Sequence, residues 1–330
     1  MKITPTFVAT LTAACIAGVS AFTPTFAQSP ATAWPTQPIK LLLPVAPGGS
    51  ADASARLIQA PLSKILGQPI IIENKPGGMG TISTEQVVRA KPDGYTFGIV
   101  FTAHAANPTM MAKMPYDTEK DLTPVAMFWR AALGISVNKD APYKTLADLV
   151  TAAKANPSSI SFATAGVGQA THFAVAQLEK EAGIKLNHVP YRGGGPATSD
   201  VVAGHVPVLS SGTGLASPYL ESGQLRLLAI TTASRSKLYP QTPTAAELGY
   251  TGVDMSEWYG FIAPAHLPQS IVQKMNAAIN EVLMQPAVQA QFAKWDLQAK
   301  PMLPAEFSKY VADQTKRMSA VVKAANIRVE

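Results

Sequence analysis

One cysteine, Cys15, occurs in 330 residues, and it lies inside an apolar N-terminal stretch. The rest of the chain therefore has no disulfide framework, no thiolate metal site and no cysteine nucleophile. Charge is also scarce: Asp, Glu, Lys and Arg make up 15% of the residues, and the formal charge is +6. No Lys/Arg cluster resembles a nucleic-acid-binding arm, so nucleic acid is not an expected partner. The mild positive balance weakly favours an anionic ligand. The five histidines, His104, His172, His188, His205 and His266, show no metal-ligand spacing. No metal and no other cofactor is expected. Internal repeats and low-complexity tracts are absent as well. What is abundant is apolar residues, 47% of the chain, enough for sizeable cores in two domains of ordinary size.

Residues 1–27 read as a signal peptide: Lys2, an apolar run from Phe7 to Ala21, then small residues at Thr25 and Ala27, with cleavage after Ala27. Two other readings are weaker. A membrane anchor requires a longer run, unbroken by Thr. A lipid anchor on Cys15 would have Thr12 where such signals usually carry Leu, and the apolar segment continues past Cys15. Export of a chain left without cysteine fits the periplasm.

After a Pro-rich spacer, short continuous apolar runs alternate with helical stretches. Strands are expected at 39–44, 70–73, 96–101, 123–128, 134–137, 160–163, 187–190, 207–209, 225–230 and 259–263. Helices are expected at 51–66, 80–90, 145–156, 171–182, 197–203, 270–284, 287–293 and 304–325, with Pro61 kinking or ending the first. This alternation predicts an α/β protein with largely parallel sheets covered on both faces.

Three junctions share one form. "LLLPVAPGGSADASARL" passes from an apolar run through Gly48 and Gly49 into a helix that Ser50 or Asp52 can cap. "ISFATAGVGQATHFAVAQL" repeats the form, with Gly166 and Gly168 in the turn and Thr164, Gln169, Thr171 and His172 as side-chain donors. "HVPYRGGGPATSDVVAG" is the third, with Tyr191 as a pocket wall and Pro196 near the start of the helix. Glycine lets a backbone approach a ligand closely, and unpaired amides at a helix start favour an anion. Each turn alone is equally consistent with an ordinary strand-to-helix connection. Three of them suggest a cleft outside the carboxyl ends of the strands.

The junctions match neither G-x-x-x-x-G-K-[ST] nor G-x-G-x-x-G, so a phosphate loop and a dinucleotide fingerprint are excluded. A hydrolase can be written on paper from Ser50, His172 and Asp52, but the G-x-S-x-G elbow is missing. Glu257, beside Trp258, is the best-placed carboxylate for acid–base work, and it has no evident second carboxylate. The residues favour binding over catalysis.

The segments "WPTQPIKLLLPVAPGGSADASAR", "GQPIIIENKPGGMGTIST", "HAANPTMMAKMPYDTEKDLTPVA", "HVPYRGGGPATSDVVAG", "RLLAITTASRSKLYPQTPTAAELG" and "EWYGFIAPAHLP" resemble, in order, the Bug-type solute receptors of tripartite tricarboxylate transporters. The resemblance runs from about residue 34 to 327. It implies a type II-like periplasmic binding fold of two hinged domains, 28–130 with 254–330 and 131–253, each a mostly parallel sheet flanked by helices. It also implies a monomer without enzymatic activity that captures a small carboxylate and passes it to the membrane components of the transporter. Carried over residue by residue, the ligand contacts would be Ala46, Gly48, Gly49, Ser50 and Asp52 on one side and Ala165, Gly166, Gln169 and Thr171 on the other. Phe101, His104 and Tyr191 would line the pocket, with His172 and Trp258 as further candidates. Trp258 facing the ligand would admit an aromatic acid such as terephthalate beside a C4–C6 dicarboxylate. The chain departs from the family pattern at Val45, Ala170, Thr171, Pro207 and Ser210–Gly214, which bears on ligand identity. A ligand sensor serving a signalling partner is an alternative to transport.

Overall fold

The computed structural model describes residues 1–2 and 34–329; the signal-peptide reading, its cleavage site after Ala27 and Cys15 lie outside the described residues. From residue 34 onward, β1 (Ile39–Leu43) leads into α1 (Ser50–Leu66), and β2 (Ile70–Asn74) into a 3-10 turn (Gly78–Gly80) and α2 (Thr81–Val88). β3 (Thr96–Phe101), α3 (Ala103–Met110) and the long β4 (Leu122–Asn138) follow. Next come α4 (Leu146–Ala155), β5 (Ser161–Thr164), α5 (Ala170–Ala182), β6 (Asn187–Pro190), α6 (Gly194–Val202), β7 (Val208–Gly212), α7 (Thr213–Glu221) and β8 (Leu225–Ile230). The chain then forms β9 (Ser256–Pro264), α8 (Gln269–Leu283), α9 (Pro286–Lys294), the short β10 (Leu297–Gln298) and α10 (Pro304–Ala325).

The strands lie in the order β2-β1-β3-β9-β4-β7-β5-β6, with β8 and β10 also paired to β4. Two parallel groups, β2-β1-β3 and β7-β5-β6, flank the antiparallel β9 and β4. The α/β class with flanking helices is thus as expected. β1 reads as a continuous apolar run because both of its faces are covered: Leu41, Leu42 and Leu43 are all buried. α1 buries Ala51, Ala55, Ile58, Leu62 and Leu66, a single stripe at helical spacing. It ends at Gly67, whose φ of 72° is the left-handed conformation that closes a helix.

Three expectations are corrected. The strands expected at 123–128 and 134–137 are one strand of 17 residues. Residues between them keep pairing with β9, from Trp129↔Tyr259 to Ala132↔Ser256, and β7 takes over at Leu133↔Gly212. The charged Arg130 hid this continuity. Pro61 does not end α1, which runs through it. The helices α3 and α7 were not foreseen; each carries an internal proline, Pro108 and Pro218, and each is set by tertiary packing of its buried face.

Side-chain alternation along β4 and β9 separates two environments. Trp129 and Tyr259 pack on the face that carries α1, α8 and α9. Arg130 and Trp258 lie on the face covered by α10, where the Trp258 ring meets Phe307 and Tyr310 edge-on at centroid distances of 6.2 and 5.6 Å. The core around Trp258 also includes Phe173 and Ala174 of α5 and Met318 of α10. Trp258→Ala would leave a cavity between β9 and α10, so it should destabilise the fold by about 3–5 kcal/mol. The shift in the urea unfolding midpoint measures this, and a loss below about 1 kcal/mol would show that the ring is not core.

Candidate ligand-binding site

The three glycine-bearing junctions lie at the carboxyl ends of parallel strands β1, β5 and β6, and each opens a helix, α1, α5 and α6. In the first, residues Ala46 to Ser50 are exposed. Gly48 takes φ 91°, and Gly49 stands before the helix with no side chain capping it. The amides of Ser50 and Ala51 have no acceptor among the described residues, as the first turn of a helix dictates. The helix dipole adds a preference for negative charge at this end.

Asp52 sits beneath this loop rather than on it. It is 4% exposed, and its carboxylate accepts from the Gly48 amide (3.0 Å), Arg56 Nε (3.0 Å) and Asn74 Nδ2 (2.9 Å). The same Asn74 amide group donates to the Val45 carbonyl at 3.0 Å. Burial pushes the Asp52 pKa up, but the bonds from Arg56, Gly48 and Asn74 outweigh it and hold the carboxyl below its ordinary value. Asp52 and the Gly48 amide, both expected at the ligand, are thus bonded to each other and hold the loop's shape.

The second junction is braced in the same way. Ala165 N–H donates to Thr171 Oγ1 (3.2 Å), Gly166 N–H to Thr164 Oγ1 (3.2 Å) and Gly168 N–H to His172 Nδ1 (3.3 Å). Gly166 and Gly168 adopt φ 136° and 72°, which glycine alone takes without strain. Gln169 precedes α5 in extended conformation without a capping bond. The amides left open among the described residues are those of Val167, Ala170 and Thr171. Of the expected donors, the Ala165 and Gly166 amides and His172 Nδ1 are thus occupied within the loop; the Thr171 amide is open, and its hydroxyl is a brace.

Beneath this loop the rings of His172 and His188 stack with centroids 4.0 Å apart, and His188 Nε2 shares a 2.7 Å hydrogen bond with Thr164 Oγ1. Burial, with His188 and Lys185 adding to it, pushes His172 down to about 3, and burial alone brings His188 to about 4. The third junction is tied to the second by Tyr191 N–H to Thr164 O (3.1 Å) and Gly193 N–H to Ala165 O (3.1 Å). Asp200 fixes the Tyr191 hydroxyl and also pairs with His205.

Side chains from the other strand group meet these loops. A Cβ on Gly168 would lie 2.8 Å from Met110 Cε and 2.9 Å from Met79 Sδ. Met79 sits in the Gly78–Gly80 turn with φ 51°, and its carbonyl accepts from Asn107 Nδ2 at 3.2 Å. Behind it, Gly80 abuts Phe101 and Pro44. The end of β1, through Pro44, and the loop after β5, through Gly168, thus both approach the Gly78–Gly80 turn. Reading for polar donors passed over Met79, Met110, Val167 and Ala170; the run "GGMG" was the available signal for the first.

Two further candidates are buried side chains. His104 is 4% exposed beside Tyr116, with Nδ1 lacking a partner among the described residues and burial pushing its pKa to about 4. Trp258 belongs to the core under α10. Phe101 is 5% exposed and packs against Tyr259, which packs against Trp129. Glu257, 3.4 Å from the Tyr259 hydroxyl, is raised to about 7 by burial despite that hydroxyl's opposing effect. The Ser50–His172–Asp52 triad is not assembled: His172 Nδ1 and Asp52 are both occupied by loop amides.

Residues 54–327 match the family described as the tripartite tricarboxylate transporter family receptor. The chain belongs to this receptor family. Its members are solute-binding receptors, not enzymes. The receptor is 31% identical to BugT of Bordetella pertussis over 302 residues, 91% of this chain and 93% of that one. It superposes on Rpa4515 of R. palustris, solved with adipate, with TM-score 0.83 and 31% identity, covering 89% of this chain and 99% of that one. MatC of Rhodopseudomonas palustris, solved with bound malate, gives TM-score 0.79 and 30% identity over 88% of this chain and all of the other. The receptor thus has the two-domain periplasmic binding fold. Among its described residues no helix is long and apolar enough to cross a membrane.

Buried neutral histidines predict an acid-sensitive fold. The folded values of His104, His172 and His188 lie below the ordinary 6.5, so the unfolded chain binds protons first. Their contribution is complete above about pH 6.5 and is lost progressively as pH falls toward about 4. The raised carboxyl of Glu257 acts in the opposite sense, one group against three. In His172→Asn the amide oxygen can replace Nδ1 as acceptor without titrating. The fall in Tm between pH 7 and 4.5 should be smaller in that variant than in wild type; equal slopes would remove His172 from the explanation.

Proposed function

We propose that the receptor is a periplasmic solute-binding protein that captures a small carboxylate in a cleft between two domains and delivers it to the membrane components of a tripartite tricarboxylate transporter. The domains are 28–130 with 254–330, and 131–253; the change of β4's partner between Ala132 and Leu133 supports the first limit. Export with removal of residues 1–27 and a monomeric state belong to the same proposal. The observation that carries it is the pair of open helix starts, α1 and α5, at glycine loops that approach the same Gly78–Gly80 turn, one through Pro44 and the other through Gly168. In this arrangement the amides of Gly49, Ser50 and Ala51 on one side and of Val167, Ala170 and Thr171 on the other hold carboxylate oxygens, with Gln169 and Tyr191 at the margin. A ligand touching both loops binds the closed state better than the open one, and this difference drives closure.

The adipate and malate bound by Rpa4515 and MatC support the ligand class. The aromatic side chains near the loops are largely spent on core stacking: Phe101, Tyr259 and Trp129 are 5, 6 and 0% exposed. This favours an aliphatic dicarboxylate over an aromatic acid.

Isothermal titration of the mature protein with malate, adipate, citrate and terephthalate tests the proposal; saturable binding of an aliphatic acid is expected, and a folded protein that binds none of a wider carboxylate panel overturns it. Two changes at Ser50 separate backbone from side chain. Ser50→Ala should leave affinity within about threefold. Ser50→Pro removes one amide at a helix position that accepts proline, after a residue already in extended conformation. It should weaken binding at least about tenfold, because a hydrogen bond to a charged group contributes about 1.5–3 kcal/mol.

A further inference from the structure

A second polar cavity lies where strands pass between the two parallel groups. Ala131 and Ala132 of β4, Thr232 to Ser234 beyond β8, and Asp254 and Ser256 leading into β9 form most of its wall, with Gln298 of β10 beside Arg130; its volume is about 290 Å³. Four arginines of the protein, Arg56, Arg89, Arg235 and Arg317, each face a carboxylate. Arg130, partly buried in the cavity wall, faces none among the described residues. Its Nη2 donates to Ser256 Oγ at 3.0 Å, its guanidinium lies 5.6 Å from the Tyr310 ring centroid, and its buried Nε has no acceptor among the described residues. The one carboxylate in the wall, Asp254, is committed elsewhere: it accepts from Arg317 at 2.9 Å and from the Ala233 amide at 3.1 Å. Asp254 and Arg317 cancel, so the unbalanced charge of the cavity is that of Arg130.

An unpaired donor of a charged group out of water is costly, and a guanidinium edge matches an oxyanion in shape and charge. The Ser256 hydroxyl and the Gln298 amide stand in the same wall as further donors. Strand alternation places Arg130 with Trp258 and α10, on the opposite face from Trp129 and Tyr259. No residue of the loops after β1 and β5 lines the cavity, so it is separate from them.

We propose that this cavity is a second anion site, in which the Arg130 guanidinium, with Ser256 and Gln298, holds one small oxyanion. Inorganic phosphate or sulfate and the carboxylate end of a metabolite share the chemistry required, and separate titrations distinguish them. The probes are phosphate, sulfate and acetate, added to the mature protein at constant ionic strength, with selenate soaked into crystals. At least one of the three anions should raise Tm by about 2 °C or more in wild type and leave Arg130→Gln unmoved. Selenate should give an anomalous peak within hydrogen-bonding distance of the Arg130 side chain, absent from Arg130→Gln. Should Arg130→Gln fold poorly, Gln298→Ala replaces it and should at least halve the Tm response. Ser50→Pro should leave the response intact, which separates this site from the carboxylate cleft. No response in wild type, a response undiminished in the variants, or a selenate-soaked crystal without that peak overturns the proposal.

Discussion

A helix that follows a parallel strand begins with amides that its own carbonyls cannot reach, and the proposed carboxylate site is built on this constraint. In α1 and α5 no side chain caps the first turn, although serine and threonine stand close by in both sequences. The capped alternative occurs in the same molecule: α4 opens with Thr145 and Asp148 satisfying each other's backbone. Other helices, α2, α6 and α7 among them, also start without a side-chain cap; at α1 and α5 the open amides lie on the glycine loops, available to an anion without a charged side chain on the rim.

Open amides are useful only if the loops that carry them are held still. Much of the local chemistry serves that end. Asp52 gathers three donors under the first loop, and Thr164, Thr171 and His172 each bind an amide of the second. Left-handed glycines let both chains turn back toward these braces. Asp52, Thr164, Thr171 and His172, all polar enough to meet a ligand, are therefore bonded to the loops themselves, and the donors left open are main-chain amides.

The paired strands β4 and β9 join the two parallel groups, and their two faces have different tasks. One face carries the stack of Trp129, Tyr259 and Phe101 toward α1. The other carries Trp258 into the core under α10 and leaves Arg130 beside the polar cavity. A ligand-driven change in the angle between the groups would have to pass through these strands. The Arg130 cavity is built against them.

The residues alone determined the α/β class, most strands and helices, and the three glycine junctions, because short apolar runs and helical stripes are local signals of burial. They also pointed to the receptor family, through motifs whose order runs along nearly the whole described chain. Tertiary structure decided what each polar group near the junctions does. Asp52 and His172 could equally have met a ligand or an amide, and only the positions of Gly48, Asn74 and Gly168 settle which. The same holds for Trp258 and His104, whose neighbours Phe307 and Tyr116 are far away in sequence or on another element. Continuity of β4 through Arg130, and the helices α3 and α7 despite their prolines, likewise depended on partners that no local pattern reveals. Periodicity records how much of a residue is buried; it does not record against what.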